Sequence, residues 1–242
     1  MVAGIMSSNS FKLLKFETRD EAASASADLI AAAIRDALAA REQAHIALSG
    51  GSTPGPAYQA LAEADIDWKR VNIGLVDERC VPVDDAASNE ALIRNTMLTA
   101  RAQAANFLPM CSEYDHSPTA ATAANGLYEA IQPLDVIMLG MGPDGHTASW
   151  FAGAKNLQDA IENNGKTVVA VDAAGCPVAG NHPDRLSLTL AAIGTAGTAV
   201  LLISGEEKYD VLASASARRH EDCPIKYAID ALGSRLVVIW SP

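Results

Sequence analysis

The chain is 242 residues long, 49% hydrophobic and 19% charged, and carries a formal net charge of −11. A chain of this length and apolar content buries a substantial core, which fits one large α/β domain spanning 1–242 and speaks against intrinsic disorder. The acidic balance speaks against nucleic acid and anionic membranes as partners, and no stretch approaches the roughly 18 apolar residues of a membrane-spanning helix.

An acidic protein that binds an anion must gather its few cations locally, so Arg and Lys beside glycine-rich loops are the informative ones. Met1 to Phe16 has no apolar core followed by a small-residue cleavage site, so the protein is expected to be cytoplasmic, with residues 1–10 flexible. Cys80, Cys111, Cys176 and Cys223 are widely spaced with no C-x-x-C pair, which predicts buried free thiols rather than a zinc site or a redox dithiol.

In chain order, Thr18-Arg19-Asp20-Glu21 has capping-box spacing and predicts a helix start. From Ala22 to about Arg41 an Ala-rich helix follows, with Leu29, Ile30, Ala33, Ile34, Ala37 and Leu38 as the apolar stripe that packs on a sheet. His45 to Leu48 reads as a short buried strand running into Ser49-Gly50-Gly51-Ser52-Thr53-Pro54. With Thr53 as N-cap and Pro54 first in the helix, the N–H groups of this turn suit an anion, although a plain strand-to-helix turn has the same pattern.

Val71 to Val76 predicts a strand that delivers Asp77-Glu78-Arg79 to its carboxyl end, either as a solvated ion-pair patch or as part of a ligand site. Val81-Pro82 stops regular structure, and Ser88-Asn89 precedes a helix with Leu92, Ile93, Thr96 and Met97 on one side. Phe107 to Met110 reads as a short strand, and Ser117-Pro118 as the start of a helix reaching Ile131.

The apolar run Asp135-Val136-Ile137-Met138 then enters Leu139-Gly140-Met141-Gly142-Pro143-Asp144-Gly145-His146-Thr147-Ala148-Ser149. A carboxylate, an imidazole and two hydroxyls thus fall just beyond the end of a buried strand, where open α/β sheets bind ligands. His146 is a candidate general base with Asp144 as its orienting carboxylate; the alternative is a polar turn whose His caps a helix.

Thr167 to Val171, Arg185 to Leu190 and Thr198 to Ile203 follow as strands, and Arg235 to Trp240 closes the chain as another. Lys208 begins a helix to about Ala217 after the turn Ser204-Gly205-Glu206-Glu207. Arg185 and Lys208 are either surface residues or phosphate contacts, Arg by bidentate bonding and Lys as a point charge. Strands alternate with helices and no linker divides them, which predicts a single-domain, Rossmann-like α/β fold: a doubly wound, mostly parallel sheet with helices on both faces.

Taken together and in order, Leu48 to Pro54, Asp77 to Pro82 with Ser88-Asn89, and Gly140 to Ser149 resemble the 6-phosphogluconolactonases, hydrolases of the oxidative pentose phosphate pathway within the glucosamine/galactosamine-6-phosphate isomerase superfamily. The resemblance extends to Arg185 to Leu190 and to the Gly205 to Lys208 turn. It implies hydrolysis of 6-phospho-D-glucono-1,5-lactone with no metal and no cofactor. His146 would activate water, Asp144 would orient it, and Asp77 would position water or sugar hydroxyls. The phosphate would be held by Gly50, Gly51, Ser52, Thr53, Arg79, Arg185 and Lys208.

Glucosamine-6-phosphate deaminases resemble the chain in the Gly-Ser-Thr-Pro turn and the Asp-Gly-His core. They typically carry Asp-Glu-Tyr in place of Asp77-Glu78-Arg79, and Ile-Ala-Phe-Asn-Glu in place of Thr147 to Phe151, so the deaminase Glu is missing here. A deaminase-like enzyme and a non-catalytic sugar-phosphate sensor are the alternatives. Trp150 stands where the lactonases usually have Leu or Phe, and Ala152 where they commonly have Pro, which bears on local loop shape more than on chemistry.

Overall fold

In a computed structural model that describes residues 11–112 and 117–242, the capping box forms as its spacing predicts. Thr18 Oγ1 accepts from the Glu21 N–H at 3.2 Å, and the Glu21 carboxylate accepts from the Thr18 N–H at 3.3 Å. The expectation for residues 1–10 lies outside the described residues.

The chain runs β1 (Lys12–Lys15), α1 (Arg19–Ala40), β2 (Ala44–Leu48), α2 (Gly55–Ala62), β3 (Val71–Leu75), β4 (Asp77–Arg79), α3 (Asn89–Thr96), β5 (Asn106–Phe107) and α4 (Ser117–Glu129). It continues through β6 (Val136–Leu139), α5 (Leu157–Ile161), β7 (Val168–Asp172), β8 (Asp184–Leu188), α6 (Leu190–Gly194), β9 (Thr198–Ser204), α7 (Glu206–Ser214), α8 (Ile225–Leu232) and β10 (Leu236–Ser241).

Seven strands form one parallel sheet in the order β1-β10-β9-β6-β2-β3-β5, with helices covering both faces. Burial on both faces explains why β3 and β6 are hydrophobic almost without alternation. From β2 the chain steps outward to β3 and β5, then returns to β6 on the other side of β2. The strand order therefore reverses between β2 and β6, and the crevice beyond their carboxyl ends is where such sheets bind ligands.

A second, antiparallel sheet has the order β4-β8-β7. The strands expected over Thr167 to Val171 and Arg185 to Leu190 form as β7 and β8, but β8 ends at Leu188 because Leu190 opens α6, and both belong to this sheet and not to the main one. Val76 joins the two: its N–H bonds Leu48 O at 3.0 Å, and its carbonyl accepts from the Leu188 N–H at 2.9 Å. The chain thus leaves β3 and enters β4 across a single residue, and carries Asp77 over the crevice.

Three local expectations need correction. The buried face of α1 is Ala22, Ala23, Ser26, Ala27, Ile30, Ala31, Ile34 and Ala37, so Ile30, Ile34 and Ala37 lie where expected while Leu29, Ala33 and Leu38 are at its margin, because the helix packs on both α2 and the sheet. Helix α2 begins at Gly55, one residue later than read, and Pro54 is its cap, so Thr53 makes no capping hydrogen bond. Finally, Cys80 is only half-buried, whereas Cys111, Cys176 and Cys223 are buried, and none of the four forms a disulfide.

Candidate active site

The loops that follow β2 and β6, together with β4, β8 and the start of α7, enclose a cleft of about 280 Å³. Its wall contains Gly50, Gly51, Ser52, Thr53, Asp77, Arg79, His146, Arg185 and Lys208, so residues from distant parts of the sequence meet at the switch point. Asp144 lies beside His146, at the edge of this wall.

The loop that follows β6 is a chain of short-range bonds. Gly142 N–H bonds His146 O at 2.9 Å, Gly145 N–H bonds Gly142 O at 3.0 Å, and Thr147 Oγ1 donates to Gly140 O at 2.7 Å. These bonds turn His146 back over Asp144, whose Oδ1 lies 2.6 Å from His146 Nδ1 and 3.3 Å from the His146 N–H. The imidazole also packs on the Phe151 ring, centroid to centroid 4.7 Å. Gly142 leaves room for the pair: a Cβ there would stand 2.2 Å from His146 Nδ1 and 2.6 Å from Asp144 Oδ1.

Partial burial works to raise the Asp144 pKa, but the hydrogen bond and charge of His146 outweigh it and hold the carboxyl below its ordinary range. A carboxylate with a depressed folded pKa stabilises the fold above its unfolded value and loses that contribution as pH falls through the folded one. Asp144→Asn is therefore expected to cost stability at neutral pH, with the gap to wild type closing once pH drops below about 4, the ordinary aspartate range. Urea midpoints from neutral to acid pH measure this, and a gap that widens toward acid contradicts it.

Asp77, Glu78 and Arg79 do not act as one patch, because successive side chains of a strand point to opposite faces. Asp77 and Arg79 face the cleft, and Glu78 points away into the protein, where it is 2% exposed. The Glu78 carboxylate accepts from the N–H groups of Asn89 at 2.8 Å and Glu90 at 2.7 Å, and so neutralises the amino end of α3. Burial still pushes its pKa up against those bonds.

Asp77 accepts from Ser149 Oγ at 2.7 Å, which engages the Ser149 hydroxyl, itself fully buried, in holding a carboxylate. Arg79 Nη1 donates to Ala87 O at 2.8 Å and Asn89 Oδ1 at 2.7 Å, while its Nε is buried without a partner among the described residues. Arg185 is 4% exposed, donates from Nε to His182 O and from Nη2 to Ala179 O, and lies over the Phe151 ring at 5.4 Å. Burial pulls the pKa values of Arg185 and Lys208 down, and Lys208 has no hydrogen-bonded partner among the described residues. Cations left short of partners in a cleft are suited to an anionic ligand.

Ser49 and Asn89 are among the cleft residues not singled out as site residues from sequence. Ser49 Oγ is buried in the cleft wall with no partner among the described residues. Asn89, read as a helix start and as part of the loop set that carries the resemblance but given no role of its own, also lines the cleft. The Trp150 departure has a local account: its indole N–H donates to Leu188 O at 3.0 Å and ties the loop after β6 to β8.

Fold and site together define an open, parallel α/β protein with an imidazole–carboxylate pair, a glycine-rich turn and three cations at one strand-end crevice. A family model described as glucosamine-6-phosphate isomerases/6-phosphogluconolactonase matches residues 17–238, and the chain belongs to that family. It is 38% identical over 230 residues to a 6-phosphogluconolactonase of Rhizobium meliloti (strain 1021), covering 94% of this chain and 97% of that one. It is 42% identical over 201 residues to the Xylella fastidiosa (strain Temecula1) 6-phosphogluconolactonase, covering 83% of each. The crystal structure of a 6-phosphogluconolactonase from Shewanella baltica OS155 matches with a TM-score of 0.88 at 33% identity, over 99% of this chain and 100% of that one.

Proposed function

We propose that this chain hydrolyses 6-phospho-D-glucono-1,5-lactone to 6-phospho-D-gluconate in the oxidative pentose phosphate pathway, with His146 as general base. The observation that carries the reading is the 2.6 Å His146–Asp144 pair in a cleft that also holds Arg79, Arg185 and Lys208. Kinship with lactonases at 38% and 42% identity supplies the substrate.

The dianionic phosphate is held by the N–H groups of Gly50 to Thr53 with Arg79, Arg185 and Lys208, which fixes the lactone carbonyl at a distance from the phosphate. The Nδ1–H of His146 donates to Asp144 and leaves Nε2 to accept a proton from water. The water oxygen bonds to the carbonyl carbon, and the π pair moves to the carbonyl oxygen. When that pair returns, the bond to the ring oxygen breaks, and the imidazolium gives its proton to the ring oxygen, which leaves as the 5-hydroxyl. Asp77, held by Ser149, positions the water or a sugar hydroxyl.

Water activation is assigned to His146 alone, and no group of three His, Cys, Asp or Glu side chains able to hold a metal occurs among the described residues. Turnover is expected to survive exhaustive chelation; a loss that a divalent cation restores contradicts the assignment. The reading keeps one catalytic domain, which the family match across both sheets supports, and a cytoplasmic setting. No helix among the described residues is long and apolar enough to cross a membrane.

Thr147 to Phe151 replace the segment that carries the deaminase Glu, which favours hydrolysis over deamination. Incubation with fresh lactone and, separately, with glucosamine 6-phosphate tests this choice. Acid formation without ammonium release is expected. Ammonium release supports the deaminase reading, and saturable binding without turnover supports the sensor.

A further inference from the structure

We propose that Asn89 is a positioning residue that keeps Arg79 available to the substrate's phosphate; the ligand named here rests on the proposed function. Asn89 is 2% exposed and opens α3, with its own N–H committed to Glu78. Its carboxamide works in two directions. Nδ2 donates to Asp77 O at 2.7 Å and reaches Asp77 Oδ1 at 3.4 Å, while Oδ1 accepts from Arg79 Nη1 at 2.7 Å.

Asp77 and Arg79 are two residues apart on β4 and therefore share a face, within reach of an ion pair with each other. Such a pair would cancel the cation that a phosphate needs. The amide between them gives the carboxylate strand a donor and the guanidinium an acceptor, so both are satisfied without neutralising one another. A neutral planar group that donates at one end and accepts at the other meets this need; Asp has no donor and Leu has neither function.

Asn89 and Ala87 O occupy Nη1, and the Arg79 edge bearing Nε and Nη2 has no acceptor among the described residues. That edge is the one that binds a phosphate with two parallel N–H···O bonds. The carboxamide also lies flush on the anion-binding turn, since a Cβ at Gly50 would stand 1.8 Å from Asn89 Oδ1. One side chain thereby holds cation, carboxylate and turn in register.

The test is a double-mutant cycle on Asn89→Ala and Arg79→Ala, read by KM and kcat on the lactone and by calorimetric binding of 6-phosphogluconate. Each single variant is expected to weaken binding and raise KM by about tenfold or more with a much smaller change in kcat, and the double variant to be no worse than Arg79→Ala. Asn89→Ser, too short to bridge both partners, should behave like Asn89→Ala and serves if the alanine variant does not fold. Additive losses, or a fall in kcat with KM and binding unchanged, overturn the positioning role. If wild type binds 6-phosphogluconate with this coupling but hydrolyses no lactone, the functional reading fails and the role of Asn89 stands. If it hydrolyses lactone and the losses are additive, the role of Asn89 fails alone.

Discussion

His146→Ala is expected to lower turnover of the phosphorylated lactone by roughly 10²- to 10⁴-fold, the range that a general acid–base residue contributes, and so to approach the spontaneous rate. In the proposed mechanism the same ring serves twice, taking the proton from water and returning it to the ring oxygen, and among the described residues the wall of the cleft has no second imidazole to substitute. The proposed phosphate contacts lie on other loops, so the loss is expected in kcat while KM changes little. The fold should tolerate the change, because the imidazole is 23% exposed and its side-chain contacts are the Asp144 bond and the Phe151 ring. A folded His146→Ala variant that keeps wild-type turnover contradicts the assignment of the base.

The second large effect comes from a residue with no chemistry of its own. Gly142→Ala is expected to lower kcat by about 10²-fold, the loss that accompanies a displacement of about 1 Å at a reacting group. The new Cβ would lie 2.2 Å from both Nδ1 and Cε1 of His146 and 2.6 Å from Asp144 Oδ1, so the pair must move. Gly142 is not among the positive-φ glycines, so alanine fits the backbone and the damage is steric. Gly126→Ala, on the exposed face of α4 with no atom within 4 Å of the new Cβ, is the matched control and should leave activity unchanged. Equal kcat for wild type and Gly142→Ala would show that the close approach does not set the geometry of the base.

Much of this site was legible in the sequence because its loops combine glycine with polar side chains directly after buried strands. Gly50 to Thr53 after β2 and Gly140 to Ser149 after β6 could be placed from that pattern, and the fold brings both to one crevice. The core strands were legible for the opposite reason. Ala199 to Ile203 is apolar without alternation, and every residue of β3 is buried even though Asn72 interrupts its apolar run, because both faces of a parallel sheet are covered.

What could not be read was partnership. The local pattern of Arg185 to Leu190 identifies a strand but not its neighbour, so its place in the antiparallel sheet with β4 depends on Val76 bonding Leu48 and Leu188 at once. Strand β1, with only Lys-Leu-Leu-Lys to read, exists through its parallel pairing with β10. The division of labour in Asp77-Glu78-Arg79 followed from strand alternation, which became visible only once those residues were known to be a strand. Helix α8 was different: Ile225, Ala228, Ile229 and Leu232 have helical spacing and are buried, so the signal was present. Asn89 carried no such signal for its role, since its bonds to Arg79 and Asp77 span ten and twelve residues of chain.

The most direct test of the account is the rate of 6-phosphogluconate formation from freshly generated lactone, followed through a coupled dehydrogenase against a no-protein blank. The blank is essential because the lactone opens unaided. Wild-type protein is predicted to accelerate the reaction in proportion to its concentration. Progress curves that coincide with the blank at every protein concentration would contradict the lactonase reading.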